Sequence, residues 1–139
     1  MAQLKKSGRV VLEGSTSVYK ATLKDPSGTV IPNSSIQQLK LVLYNQRTGV
    51  VINSRGSLSG GVYSMQDVHN ANNCTFHATS GLFTWNMQPA DNEIVDETLA
   101  VGESETHVSV FKFQYTVGSD VHVGYHTEVF EVEQVCAPF

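Results

Sequence analysis

A chain of 139 residues, 40% of them hydrophobic and only four of them proline, is long enough to bury roughly 65–70% of the surface its unfolded form exposes. That excludes disorder and predicts a single domain over residues 1–139 that needs neither metal nor disulfide to fold. No apolar run approaches the ~18 residues of a membrane span, Met1–Lys6 lacks the apolar core of a signal peptide, and the net charge of −4 points away from nucleic acid and a membrane as partners, towards a chain made in the cytoplasm.

In chain order, strands are expected near Arg9–Glu13, Ser17–Lys24, Ile36–Tyr44, Val50–Asn53, Gly61–Ser64, Cys74–Ala78, Leu82–Met87, Thr106–Val117 and Val121–Val135, with no sustained helical periodicity. Asp25-Pro26-Ser27-Gly28, Asn45-Gln46-Arg47-Thr48-Gly49 and Thr79-Ser80-Gly81 punctuate them with turn chemistry. Leu39, Leu41 and Leu43 recur at a period of two, as do Phe83, Trp85 and Met87. The two sets are expected to face each other across the core of an all-β, immunoglobulin-like antiparallel β-sandwich. Gly56–Gly61, rich in Gly and Ser, reads as a mobile surface loop. Asp91–Asp96 is expected to make one helical turn, because Pro89 suits a first-turn position and acids suit a helix start.

The last hairpin allows two registers. A three-residue turn at Gly118-Ser119-Asp120 pairs Tyr115 with Val123 and Phe113 with Tyr125, gathering apolar side chains on one face near the tip. A two-residue turn puts His122 and His126 there instead. The hydrophobic pattern favours the first, which requires both strands to switch faces towards the base, where Val108, Val110, Phe130 and Val132 turn apolar on the other side. A bulge or strand crossing explains that switch. So does a tip that extends past its own core and packs on a neighbouring protein through Phe113, Tyr115 and Tyr125.

Charge is uneven along the chain. Residues 1–60 hold eight of the nine basic residues against Glu13 and Asp25, whereas residues 61–139 hold only Lys112 against eleven acids. Strands from the two parts interleave in a sandwich, which cancels much of the difference; patches of opposite sign meeting between subunits are the sharper alternative.

Chemistry-bearing motifs are sparse. His122 and His126 are four apart, but on a strand that is roughly 13 Å, too far for one ion. Asp91, Glu93, Asp96 and Glu97 lack the spacing and central Gly of a calcium loop. Cys74 and Cys136 form no metal motif and are expected as free thiols in a reducing compartment. No phosphate loop or nucleophile elbow is present. No enzyme activity, cofactor or metal is therefore expected. A small hydrolase or metal enzyme on a sandwich scaffold would need a convergent set of His and acid groups.

The succession Gly81-Leu82-Phe83-Thr84-Trp85, Pro89-Ala90-Asp91-Asn92, Glu105-Thr106-His107, Phe111, His126-Thr127-Glu128 and Phe130 resembles small immunoglobulin-like proteins encoded among the virion genes of tailed bacteriophages. Tyr19–Asp25 and Leu41–Asn45 join it, so the resemblance runs from about Val18 onward; Cys74 in a strand and the tail Gln134–Phe139 depart from it. The resemblance implies a structural component of the virion, assembled in the host cytoplasm at the head, neck or head–tail junction. Its partners would be other virion proteins and further copies of itself, with residues 1–8 and 136–139 as arms that order on assembly. His107 and His126 match the pattern and are read as sheet hydrogen-bonding residues near a loop. The alternative role is an outward-facing capsid-decoration or glycan-adhesion module, for which Tyr63 is the candidate aromatic platform.

Overall fold

The computed structural model describes residues 10–77 and 80–135. The expected arms, Cys136, Lys5, Lys6 and Arg9, and Ala78 and Thr79 ahead of Gly81, lie outside the described residues.

The fold is an all-β sandwich. One sheet has the order β1 (Val10–Leu12), β10 (Asp120–Glu133), β9 (Ser104–Val117), β3 (Ile36–Asn45) and β6 (Gln66–Asp67). The facing sheet is β2 (Ser17–Thr22), β8 (Leu82–Met87) and β7 (Cys74–Phe76), and β4 (Ser57–Ser59) with β5 (Val62–Ser64) forms a separate ribbon. The strand pairings are antiparallel, as expected, except β1 with β10, which is parallel from Val10 opposite Glu131 to Leu12 opposite Glu133.

The two period-two sets meet as their alternation dictates. Leu39, Leu41 and Leu43 on β3 and Phe83, Trp85 and Met87 on β8 are all buried in one core cluster. Phe111 on β9 lies between them, with the rings of Phe83 and Trp85 edge-on to it at 4.8 and 5.8 Å. Edge-to-face packing of this kind adds about 0.5–1.5 kcal/mol per pair beyond area burial.

Turn chemistry acts where the sequence places it. The Asp25 carboxylate accepts from the backbone N–H of Ser27 and Thr29, and the Asn45 amide oxygen accepts from those of Arg47 and Thr48. Three local expectations are corrected. Val50–Asn53 makes only an isolated bridge, from Val51 to Tyr44, with Asn45 N–H on the Val50 carbonyl and Ile52 N–H on the Leu43 carbonyl, before the chain turns away with Arg55 N–H on the Ile52 carbonyl. Ser57–Ser59, inside the expected surface loop, pairs as β4 with β5, and the Tyr63 ring on β5 stacks on Tyr44 at 4.8 Å. The helical turn is a 3-10 turn at Pro89–Asn92, which begins two residues and ends four residues earlier than the expected Asp91–Asp96, with Pro89 in its first turn.

Candidate functional site

The final hairpin has the two-residue turn. Val117 pairs with Asp120, Tyr115 with His122, Phe113 with Gly124 and Phe111 with His126, and the register runs unbroken to Ser104 opposite Glu133. The expected three-residue turn, the pairing of Phe113 with Tyr125 and the switch of faces are all corrected. The cause is local: Gly118 takes φ +62° at the first central position, as a type II′ turn requires, and that turn matches the twist of the flanking strands. The inner face then reads Phe111, Phe113 and Tyr115 on β9 against His126, Gly124 and His122 on β10. Phe113 lies over the gap left by Gly124, where a Cβ would come within 2.4 Å of its ring, and Tyr115 stacks on His122 at 5.5 Å.

This register separates the three anchor candidates. Phe113 and Tyr115 are 5% and 4% exposed and belong to the chain's own core, so they are withdrawn as contacts for a neighbour. Tyr125 is 63% exposed, and with it on the outer face stand Val121 and Val123, 55% and 51% exposed. Sequence reasoning missed these two valines because it turned them inward. Val117, on the inner-face side of the tip, is also exposed.

The opposite end of the sandwich carries buried charge. Asp91, fully buried in the 3-10 turn, accepts at one oxygen from Arg55 Nε (2.8 Å) and Asn53 Nδ2 (2.8 Å) and at the other from Arg55 Nη2 (3.0 Å) and the Gln88 backbone N–H (2.8 Å). Arg55 also donates to the Asn72 carbonyl and to Gln66 Oε1, and lies over the Trp85 ring. The pair thus ties three loops to the core, and its bidentate geometry is the form in which buried ions are tolerated.

Beside it, Glu105 and His107, two apart on β9 and so on one face, are also buried. One Glu105 oxygen accepts from the backbone N–H groups of Val95 and Asp96, and the other from Asn45 Nδ2 (2.9 Å) and His107 Nε2 (2.6 Å). Burial pushes the Glu105 carboxyl up, but the bonds from His107, Asp96 and Asn45 outweigh it and hold it below its ordinary range. As a carboxylate it can only accept, so His107 Nε2 carries the proton of that bond. Among the described residues the His107 Nδ1 atom has no hydrogen-bond partner. A carboxylate–imidazole pair is general acid–base hardware, but this one is buried, and its carboxylate is used in accepting the N–H groups that hold the 94–105 loop. The spacing Glu-x-His on a strand was the readable signal for it.

Other candidates resolve into packing. His126 bonds to the Tyr19 hydroxyl on the facing sheet, and burial lowers its pKa. Cys74 is free and buried, and burial pushes its thiol up to about 12, which removes it as a nucleophile near neutral pH. Tyr63 donates its hydroxyl to the Gly49 carbonyl and gives one face to Tyr44. The basic first part and acidic second part meet within the chain, through Arg47 with Asp96 and Arg55 with Asp91. Among the described residues no group of three or more His, Cys, Asp or Glu side chains could hold a metal ion, and no helix is long and apolar enough to cross a membrane.

No protein-family model matches the sequence, and no curated protein matches it. Among solved structures the chain is similar to the N-terminal domain of phage TP901-1 ORF48, at 13% sequence identity, a TM-score of 0.47, and coverage of 94% of this chain and 86% of that chain.

Proposed function

We propose that this chain is a non-enzymatic, immunoglobulin-like structural protein of a tailed-phage virion that binds neighbouring virion proteins, its own copies among them, at the head, neck or head–tail junction. The observation that carries the binding role is the outer face of the hairpin tip, where Val121, Val123 and Tyr125 stand together in solvent while the charged groups at the other end are sealed. Apolar side chains clustered on an ordered strand are what an interface buries. The virion as the setting rests on the resemblance carried by Gly81–Trp85, Pro89–Asn92 and Glu105–His107. Two of those segments, through Asp91, Glu105 and His107, build the polar clamp that fixes the loops of a rigid binding module.

Mass spectrometry of density-purified particles from the phage that carries this gene tests the setting. The chain is expected in mature particles at a fixed ratio to the other structural proteins. Its absence from particles, with the protein abundant in the lysate, would overturn the virion assignment.

A further inference from the structure

From Val121 to Thr127 the outer edge of β10 carries no partner strand among the described residues, and its residues specify what fits there. In an antiparallel hairpin closed by the pair Val117 and Asp120, the even-numbered residues of β10 exchange hydrogen bonds with β9 and the odd-numbered ones point their N–H and C=O groups away. The Glu133 carbonyl shows that alternation, since it accepts from Glu13 on the far side. β1 takes up only Glu131–Glu133. Among the described residues no strand pairs with the outward groups of Val121, Val123, Tyr125 and Thr127. Native edges are usually blunted by Pro, Lys or a bulge. This one has none of these between Asp120 and Glu128.

We propose that this edge is a self-association surface, on which β10 of a second copy adds antiparallel about a two-fold axis at Val123, joining the two five-stranded sheets into one. In that register Val123 faces the partner's Val123 and Val121 faces the partner's Tyr125, on the outer face where all three are exposed. The pattern is self-complementary, as a two-fold contact requires. Asp120 faces the partner's His126. Moving the axis to Gly124 sets Asp120 against Glu128, two carboxylates directly opposite, which disfavours it.

Seven residues from each copy, Asp120–His126, are far fewer than the 20–30 a side of a stable interface. The dimer is therefore weak and gains strength only where many copies are held together. This deepens the reading of a structural protein that meets its own copies, and rests on it.

Cross-linking tests the register. Opposite residues of a hydrogen-bonded antiparallel pair have Cα atoms about 5.5 Å apart, within disulfide range. In a Cys136→Ser background, with Cys74 buried, Val123→Cys is expected to form a disulfide dimer under mild oxidation. Val121→Cys and Tyr125→Cys are each expected to react poorly alone and well when mixed. Val62→Cys, as exposed but on β5, is the control. Val123→Pro, which deletes an N–H that makes no bond within the described chain, is expected to weaken association at least tenfold while the circular dichroism spectrum is kept. Equal cross-linking of Val62→Cys and Val123→Cys would overturn the inference. An oligomer indifferent to Val123→Pro would overturn it too, leaving the structural role intact. A wild-type monomer at all concentrations up to about 1 mM would remove both the dimer and the self-binding part of the proposed function. Amide protection at Val121, Val123, Tyr125 and Thr127 that does not change with concentration would show that the chain covers its own edge.

Discussion

The two ends of this sandwich invert the usual distribution of side chains. At the base, Arg55, Asp91, Glu105 and His107 are buried; at the tip, Val121, Val123 and Tyr125 face solvent. The base solves its problem internally, because each carboxylate oxygen of Asp91 and Glu105 takes two donors and the loops supplying them are fixed as a result. The tip has no internal solution: with the two-residue turn, Gly124 and His122 take the inner places opposite Phe113 and Tyr115, and Val121, Val123 and Tyr125 are left on the outer face. The contrast separates charge used for shape from apolar surface held for contact.

The largest expected effect comes from breaking the base. Arg55→Met leaves Asp91 buried without its cation and is expected to cost about 3–5 kcal/mol of unfolding free energy in a chemical denaturation. If the change were below about 1 kcal/mol, the pair would not be the anchor described. Glu105→Ala orphans the N–H groups of Val95 and Asp96 and the His107 donor, with an expected loss of about 2–3 kcal/mol and faster amide exchange in the 94–105 loop.

The same carboxylate sets a pH dependence. Glu105 is depressed in the fold relative to the unfolded chain, as is Asp96 through bonds from Thr98 and Arg47. Their stabilisation is fully present above the unfolded carboxylate pKa and is lost as the pH falls through the folded values. Unfolding midpoints measured down through the acid range should fall more steeply for the wild type than for Glu105→Gln. Equal slopes would mean the clamp does not depend on ionised Glu105.

Between base and tip lies Gly124. Gly124→Ala places a methyl against the buried Phe113 ring and is expected to cost about 1–3 kcal/mol, seen as a lower melting temperature. The smallest stability effect belongs to the tip: Tyr125→Ser should change unfolding free energy by no more than about 0.5 kcal/mol. It should nevertheless reduce light-scattering mass at high protein concentration. A destabilisation as large as that of Gly124→Ala would show that Tyr125 packs within its own chain.

Much of the fold was legible in the sequence because ordinary rules hold there. The alternations of Leu39, Leu41 and Leu43 and of Phe83, Trp85 and Met87 point inward as apolar residues do, and Asp25 and Asn45 form the turns their side chains favour. Reasoning failed where that rule is broken at the surface. Val123 and Tyr125 are apolar and exposed, so a register chosen to bury them slipped by one residue and turned every side chain of β10 over. The turn itself held the answer, since Gly118-Ser119 suits a two-residue hairpin. The base was hidden for the reverse reason. Arg55 and Asp91 are 36 residues apart, and nothing local marks a charge whose burial depends on a distant partner. Glu105 and His107 could have been paired, since their spacing places them on one strand face.

The most direct measurement is residue-resolved hydrogen exchange on one sample at low and high concentration. At low concentration, Val121, Val123, Tyr125 and Thr127 should exchange far faster than Leu41 and Phe111. As concentration rises, protection should grow at those four amides while the base stays unchanged. Fast exchange at the four amides at every concentration, or protection rising at the base instead, would contradict a sealed base and a binding tip.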